Sequence, residues 1–428
     1  MALIDRSGAE VLIPEEKSRE ILLYQQRTDG DGQWLFVANG KNPETPDVEH
    51  NYTARFIING VYCLTEYDTL TGEIRPRPAR VENGKTVFER VWHMHDSMLL
   101  RLEAGEPEAE TPAPVKAAAK PVSLCLKPVP FELTEPNMLL LDMAEYALDG
   151  GEWHGVEEIL RIDNAARAAL GIPLRRKEVL QPYLIAPETP EHCLDLRFTI
   201  PSEIDVTGAR LALEEPEQAR IALNGQAVDT TPVGWFVDRD IKTVDLPPLV
   251  RGENMLEIRV PIGKRTNLEA FYLLGNFGVD VRGVVKTIVP APETLGFGSV
   301  TGQGFPFYTG CVEYQMPFEA DGGQVTVRVP HYRGGLVKVF VDGEDRGNIA
   351  FSPCELTVHG LTPGRHTMTL RLYGTLINGF GQLHHTQGLY YYQSPNSWRS
   401  TGDLWTYEYQ LKPMGILKSP ELWGGRFI

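Results

Sequence analysis

The sequence predicts an all-β protein made of several β-sandwich domains, with one small helical insertion. The first observation is a succession of short segments in which apolar and polar residues alternate, as they do in strands with one buried face. The second is turn composition, because 41 glycines and 32 prolines suit many short strands joined by tight turns. The third is length, since 428 residues suggest about two to four domains.

Residues 1–104 are predicted to form the first β-sandwich. Segments 21–26 and 34–39 alternate and flank Asp29-Gly30-Asp31-Gly32, a strong hairpin-turn signal. Further alternating segments follow at 53–58, 60–66, 85–89 and 97–103. Residues 105–122 are rich in Pro, Ala and Glu and have almost no large apolar residue, so we predict an extended linker there.

Residues 123–290 are predicted to form a second domain and residues 291–428 a third. In the second domain, 156–170 places apolar residues near helical spacing and is followed by Gly171 and Pro173, which predicts the helical insertion. The remaining segments are short and strand-like. Residues 405–411 also alternate as a half-buried strand would.

A weak internal repeat links these last two domains. Residues 219–225 end in Asn224-Gly225 and residues 337–343 end in Asp342-Gly343, and each is followed by a glycine-containing turn and an alternating strand. Asn/Asp-Gly turns adopt positive φ at little cost. The repeat predicts two similar jelly-roll units.

One pattern consists of a strand that ends in Asn224-Gly225 and, further along the chain, the turn and alternating strand that begin with Gly252-Glu253-Asn254-Met255. This pattern resembles the galactose-binding-like jelly roll of glycoside hydrolase accessory domains. Scattered motifs over most of the chain, including 21–27, 34–39, 137–142, 271–279, 304–310 and His384-His385, resemble the part of family 106 glycoside hydrolases (α-L-rhamnosidase-like proteins) that follows the catalytic barrel. The resemblance implies a bacterial protein of polysaccharide degradation. It transfers no catalytic residue, because the matched region excludes the barrel and its paired carboxylates.

Carbohydrate binding is expected of six residues in three regions. Adjacent histidines in a glycine-rich loop offer donors and acceptors to sugar hydroxyls, and Trp and Tyr rings offer flat apolar area with a polar tip. A loop tryptophan that is followed by a carboxylate offers both a flat apolar ring for the sugar face and an acceptor for its hydroxyl groups. For the aromatic rings the alternative is packing in a core or a domain interface. For the histidines it is that one caps loop carbonyls while the other is exposed, and for the carboxylate it is a solvated strand edge or turn. The candidates are His384, His385, Tyr391, Trp398, Trp235 and Asp238.

Weaker signals concern metals and catalytic carboxylates. His93 and His95 have the spacing of two ligands on one strand face, but an ordinary surface is the simpler interpretation. The turn Asp342-Gly343-Glu344-Asp345 has the oxygen ligands of a structural calcium site, without diagnostic spacing. Asp238 and Asp240 share a strand face, yet no catalytic pair can be chosen from the sequence, and no other cofactor is expected.

The net charge and the cysteine content indicate which binding partners and which cellular compartment to expect. A net charge of −16 disfavours nucleic acid and anionic membrane surfaces. The five cysteines are few, odd in number and far apart, which suits reduced thiols. With no visible signal peptide, we expect a cytoplasmic protein.

Three functional hypotheses follow. The first is a non-catalytic accessory region that binds carbohydrate or packs against a catalytic glycoside hydrolase domain or subunit. The second is a glycoside hydrolase, α-L-rhamnosidase-like, that acts on plant polysaccharide. The third is a purely structural or assembly protein, in which every aromatic cluster is an interface.

Overall fold

The computed structural model describes residues 9–12, 22–40, 51–109, 122–175, 184–387 and 398–428. Within these ranges the regular structure is almost entirely antiparallel strand, so the predicted all-β architecture is confirmed. Three hydrophobic cores organise the strands.

The N-terminal unit is a β-sandwich. Its sheets have the strand orders β1-β4-β8-β7 and β2-β3-β9-β5-β6 and share one core, in which Phe56 stacks on Phe88 at 4.9 Å between ring centroids. The predicted hairpin is confirmed, because β2 pairs with β3 and Gly30 has a φ of 61° at the turn. The strands are β1 (Ala9–Leu12), β2 (Leu22–Asp29), β3 (Gly32–Asn39), β4 (Asn51–Asn59), β5 (Tyr62–Tyr67), β6 (Ile74–Pro76), β7 (Arg80–Glu82), β8 (Lys85–His93) and β9 (Ser97–Ala104).

The central unit also has two sheets around one core. One has the order β12-β22-β16-β20-β19, and the other has β14-β13-β15-β21-β17-β18 with β23 and β24 attached. Its strands are β12 (Asn137–Leu141), β13 (Met143–Leu148), β14 (His154–Glu158), β15 (His192–Ser202), β16 (Arg210–Glu214), β17 (Arg220–Leu223), β18 (Gln226–Ala227), β19 (Gly234–Phe236), β20 (Asp238–Asp245), β21 (Gly252–Ile262), β22 (Phe271–Gly275), β23 (Gly278–Arg282) and β24 (Val285–Val289).

Helix α1 (Ile159–Leu170) is the predicted helical insertion, but it starts three residues later than expected. Glu158 has extended backbone angles and accepts a hydrogen bond from the Arg161 N–H, so it is the N-cap. Residues 156–158 continue strand β14 instead. Gly171, at a φ of 66°, ends the helix as predicted.

The C-terminal unit contains the remaining strands. Its sheets have the orders β10-β34-β27-β31 and β25-β11-β26-β32-β29-β30, with β35 paired to β26, and β28 pairs with β33. The elements are β10 (Ser123–Leu124), β11 (Val129–Leu133), β25 (Thr294–Leu295), β26 (Cys311–Ala320), β27 (Gly323–Arg328), β28 (Tyr332–Arg333), β29 (Val337–Val341), β30 (Glu344–Ile349), β31 (Glu355–Leu361), β32 (Gly364–Tyr373), helix α2 (Ile377–Phe380), β33 (Gly415–Ile416), β34 (Glu421–Trp423) and β35 (Gly425–Phe427).

The internal repeat is confirmed by the sheet topology. The order β15-β21-β17-β18 in the central unit corresponds to β26-β32-β29-β30 in the C-terminal unit. Asn224 and Asp342 both have a φ of 52° at the two hairpin turns. Each side chain accepts a hydrogen bond at 2.8 Å from the facing strand, from the Met255 and Thr367 backbone N–H respectively.

The two larger units exchange segments of chain. Strands β10 and β11 precede the central unit in sequence but pair with C-terminal strands. Conversely, the central core includes Phe307, Leu383 and Tyr409. The boundaries at 104, 122 and 290 stay predictions. No helix among the described residues is long and apolar enough to cross a membrane.

Candidate functional site

A cleft lies where α1, the segment before β22, α2 and the start of the 398–428 segment meet. It consists of two adjoining cavities, of about 330 Å³ and about 90 Å³. We call it the Trp398 cleft and define it by the residues that line both cavities, namely Leu160, Glu269, Ala270, Tyr272, Phe380 and Trp398. Its lining thus combines flat aromatic rings with a carboxylate.

The aromatic wall of the cleft is anchored in the central core. Tyr272 is 7% exposed on β22, and its ring lies 4.8 Å from that of Phe380 between centroids. Phe236 packs against both rings. Trp398 is half-buried. Rings held by core packing lose little side-chain freedom when a ligand binds, which favours affinity.

A buried cluster of charges lies behind the larger cavity. The Asp163 carboxylate accepts a hydrogen bond from Arg167 Nε at 2.8 Å, and its other oxygen lies 3.7 Å from Arg399 Nη2 and 3.9 Å from Arg175 Nη1. Arg175 donates from Nη2 to Glu269 Oε1 at 3.0 Å. Three guanidinium groups therefore face two carboxylates.

A second buried network lies beside the smaller cavity and is centred on Asp142. Lys286 Nζ and Tyr409 Oη each donate to Asp142 Oδ1 at 2.7 Å, and His384 Nε2 lies 3.2 Å from Oδ2. His384 Nδ1 faces the Thr406 carbonyl at 3.0 Å. Both ring nitrogens of His384 therefore face hydrogen-bond acceptors. The network ties strands β12 and β24 to the segment after α2.

The carboxylates of the cleft have strongly separated pKa values. Burial raises the pKa of Glu158 to about 8, and the nearby Asp142 charge adds to the rise. For Asp142 burial acts in the same direction, but the Lys286 charge and the His384 hydrogen bond outweigh it and hold the pKa below its usual range. Burial lowers the pKa of Lys286, against the attraction of Asp142. Near neutral pH the cleft therefore has a protonated Glu158 beside an ionised Asp142.

The structure separates the six predicted site residues. Trp398 lines the cleft and His385 lines the smaller cavity. His384 is 6% exposed, and a sugar hydroxyl would have to displace one of its two hydrogen bonds. Tyr391 lies outside the described residues.

Trp235 and Asp238 are not brought to the cleft. Trp235 lies on β19, is 58% exposed and is absent from the lining of both cavities. Asp238 is exposed on β20, and its carboxylate accepts a hydrogen bond from the Asp240 N–H at 2.9 Å. The strand predicted over 405–411 is wrong, because this stretch has one isolated bridge, at Trp405.

The structure does not support the metal sites considered from the sequence. In the described part of the chain, no group of three or more His, Cys, Asp or Glu side chains is placed to hold a metal ion. Asp342 pairs with His366 at 2.6 Å, and Asp345 pairs with Lys338 at 2.7 Å. The carboxylates of the calcium-like turn are thus engaged in ion pairs.

Sequence reasoning missed several charged residues that line the cleft or belong to the charged networks next to it. They are Asp142, Glu158, Asp163, Arg175, Glu269, Lys286 and Arg399. One signal was available, since Asp142 directly follows the apolar run 138–141, where a charge is expensive without a partner. The partners themselves come from distant parts of the chain.

No family model matches the chain, and no curated protein matches it. Among solved structures it is similar to a rhamnosidase from a Novosphingobium species, at 11% identity and a TM-score of 0.40, covering 97% of this chain and 24% of that one. An α-L-rhamnosidase from Streptomyces avermitilis, complexed with L-rhamnose, is 12% identical with a TM-score of 0.22, covering 96% and 38%. A β-D-mannosidase from Dictyoglomus thermophilum is 14% identical with a TM-score of 0.22, covering 56% and 31%. The chain spans between 24% and 38% of the length of these glycoside hydrolases, and at such TM-scores its function has to be argued from its own residues.

Proposed function

We propose that the chain is a carbohydrate-binding accessory region that serves a catalytic glycoside hydrolase domain or subunit, and that the Trp398 cleft is its binding site. The observation that supports this most is the composition of the cleft. Trp398, Tyr272 and Phe380 supply ring surface, while Glu269 supplies a hydrogen-bond acceptor at the same place. A sugar ring has an apolar C–H face and a rim of hydroxyl groups, so it matches such a lining.

The size of the cleft also suits this ligand class. A cavity of about 330 Å³ falls at the small end of the range for small-molecule pockets, as expected for one or two sugar units. A single site of this kind binds weakly on its own. A catalytic partner on the same polysaccharide would raise the apparent affinity through effective concentration.

Two tryptophans provide the test and its matched control. Trp398→Ala removes ring area from the cleft, so affinity for the polysaccharide that binds best should fall about tenfold or more. Trp235→Ala makes the same change at an exposed ring outside the cleft and should leave affinity unchanged. Affinity electrophoresis over a panel of soluble plant polysaccharides, followed by calorimetry, measures both. Absence of binding by the folded wild-type chain to every polysaccharide would favour the structural or assembly role.

One observation favours glycoside hydrolysis as a second candidate. Glu158, which burial keeps protonated near neutral pH, and Glu269, which pairs with Arg175, line the same small cavity. Glycoside hydrolysis needs one carboxyl group that acts as an acid and a second that acts as a base. Glu158 would protonate the glycosidic oxygen as its bond to the anomeric carbon breaks, while Glu269 would take a proton from the attacking water.

The two candidates differ in turnover. Hydrolysis of aryl glycosides, including aryl-rhamnoside, that is lost in both Glu158→Gln and Glu269→Gln would support the enzyme. Carbohydrate binding by the wild-type chain without any release of the aryl group would support the accessory role.

A further inference from the structure

Two arginines line the larger cavity without using all their hydrogen-bonding capacity. The side chains of Arg175 and Arg399 are 7% and 8% exposed. Within the described part of the chain, Nε and Nη1 of Arg175 and Nη2 of Arg399 are buried and make no hydrogen bond. A buried cationic N–H without an acceptor is costly, so a ligand that supplies the acceptor gains that energy on binding.

Among the described residues, the buried cluster around these arginines has more positive than negative groups. Arg167, Arg175 and Arg399 converge on Asp163, and Glu269 adds the second carboxylate. One positive charge is therefore left over within this cluster, while Glu214 and Glu215 line the same cavity outside it. Burial lowers the pKa of Arg399, and the neighbouring Arg175 charge lowers it further. An anionic ligand group would relieve this repulsion.

The other acidic groups of the larger cavity lie toward its opposite end. Glu214, Glu215 and Asn267 also line an adjoining cavity that contains Asp240 and Lys242. Trp398 lines both the larger and the smaller cavity, and the adjacent Arg399 donates from Nη1 to the Leu160 carbonyl at 3.2 Å. The larger cavity therefore has Arg399 beside Trp398, and Glu214, Glu215 and Asn267 offer hydrogen-bond acceptors for sugar hydroxyls where this cavity meets the adjoining one.

We infer that the sugar bound in the Trp398 cleft carries a carboxylate, as a uronic acid residue does, and that Arg175 and Arg399 recognise that carboxylate while Trp398 contacts the ring. This inference rests on the proposed carbohydrate-binding function and specifies its ligand class. Guanidinium groups suit it because their planar fork matches the two oxygens of a carboxylate.

The test compares two forms of one oligosaccharide on the full chain. Calorimetry with trigalacturonate and with its fully methyl-esterified form changes the charge of the ligand and leaves its ring stereochemistry the same. The acidic form should bind about tenfold tighter or more, and rising salt should reduce that preference. In Arg399→Gln the preference should fall toward one, while Arg399→Lys, which keeps the charge, should retain part of it.

Arg282→Gln is the matched control for the loss of one positive charge. The Arg282 side chain is 87% exposed, pairs with Asp280 and lies outside the cleft, so this variant should keep the full preference. If the Arg399 variants do not fold, the test uses the wild-type chain alone, in which rising salt should reduce the preference for the acidic oligosaccharide over its ester. Equal or tighter binding of the ester overturns the uronate inference and leaves the proposed function standing. Failure of both forms and of every neutral polysaccharide overturns the proposed function itself.

Discussion

At the scale of single residues, the clearest consequence concerns the proton on Glu158. Its pKa is about 8 in the folded chain against 4.5 for a free glutamate. Between these values the folded state binds a proton that the unfolded state has lost, so the stability contributed at this site falls as pH rises from 4.5 to 8. Glu158→Gln removes the titration and should raise the free energy of unfolding, relative to wild type, by on the order of 3–5 kcal/mol above pH 8 and by little near pH 4.5.

The neighbouring residue provides the control for this measurement. Glu157→Gln makes the same change in charge at a carboxylate that is only half-buried and accepts a hydrogen bond from Tyr407 Oη at 3.1 Å. Urea unfolding across the pH range should show a gain for Glu158→Gln that grows between pH 4.5 and pH 8, measured against Glu157→Gln as the baseline for the loss of one carboxylate from the same strand. A gain for Glu158→Gln that is the same at pH 4.5 and pH 9 would rule out a protonated Glu158.

At the scale of secondary-structure elements, the repeated hairpin turns make the next prediction. Asp342 sits at a positive φ and accepts the Thr367 N–H, as Asn224 does with Met255 in the other copy. Asp342→Asn should keep the positive φ and the accepted hydrogen bond. It should change the free energy of unfolding by about 1 kcal/mol, for the loss of the partly exposed ion pair between Asp342 and His366. Asp342→Ala loses this hydrogen bond, and alanine tolerates the left-handed region less well than Asp or Asn because it has no side-chain acceptor, so the change should cost about 2 kcal/mol in urea unfolding. Equal losses in the two variants would contradict this account of the turn.

The same elements show what the sequence could predict. The strands, the β2–β3 hairpin and the Asn224 and Asp342 turns depend on local alternation and on φ preferences, so they are visible in short windows. The cleft depends on pairs distant in sequence, such as Arg399 and Leu160, which are 239 positions apart. Alternation over 405–411 misled for a related reason. Among the described residues, its aromatic rings pack against side chains from scattered segments rather than across a ladder of paired strands. Trp405 lies under Arg161 at 3.7 Å, and Tyr409 contacts Phe307 and donates to Asp142.

At the scale of the whole molecule, the exchange of segments predicts how the chain unfolds. Strands β10 and β11 complete the C-terminal sheets, and Phe307 and Tyr409 lie in the central core, so neither large unit keeps its packing when the other unfolds. The N-terminal core draws its buried residues from positions 11–102. We therefore expect the central and C-terminal units to unfold in one cooperative transition and the N-terminal sandwich in another.

Three substitutions of fully buried leucines test this with the intact chain. Leu100, Leu211 and Leu372 are each 0% exposed, one in each core. Each leucine-to-alanine change should cost about 2–5 kcal/mol. In differential scanning calorimetry, Leu211→Ala and Leu372→Ala should lower the midpoint of the same transition, whereas Leu100→Ala should lower the other alone. A heat-capacity peak whose midpoint falls in Leu372→Ala but not in Leu211→Ala would show that the two large units unfold independently. In that case the free energy of interaction between the units, through the exchanged strands and core residues, would be too small to make their unfolding cooperative.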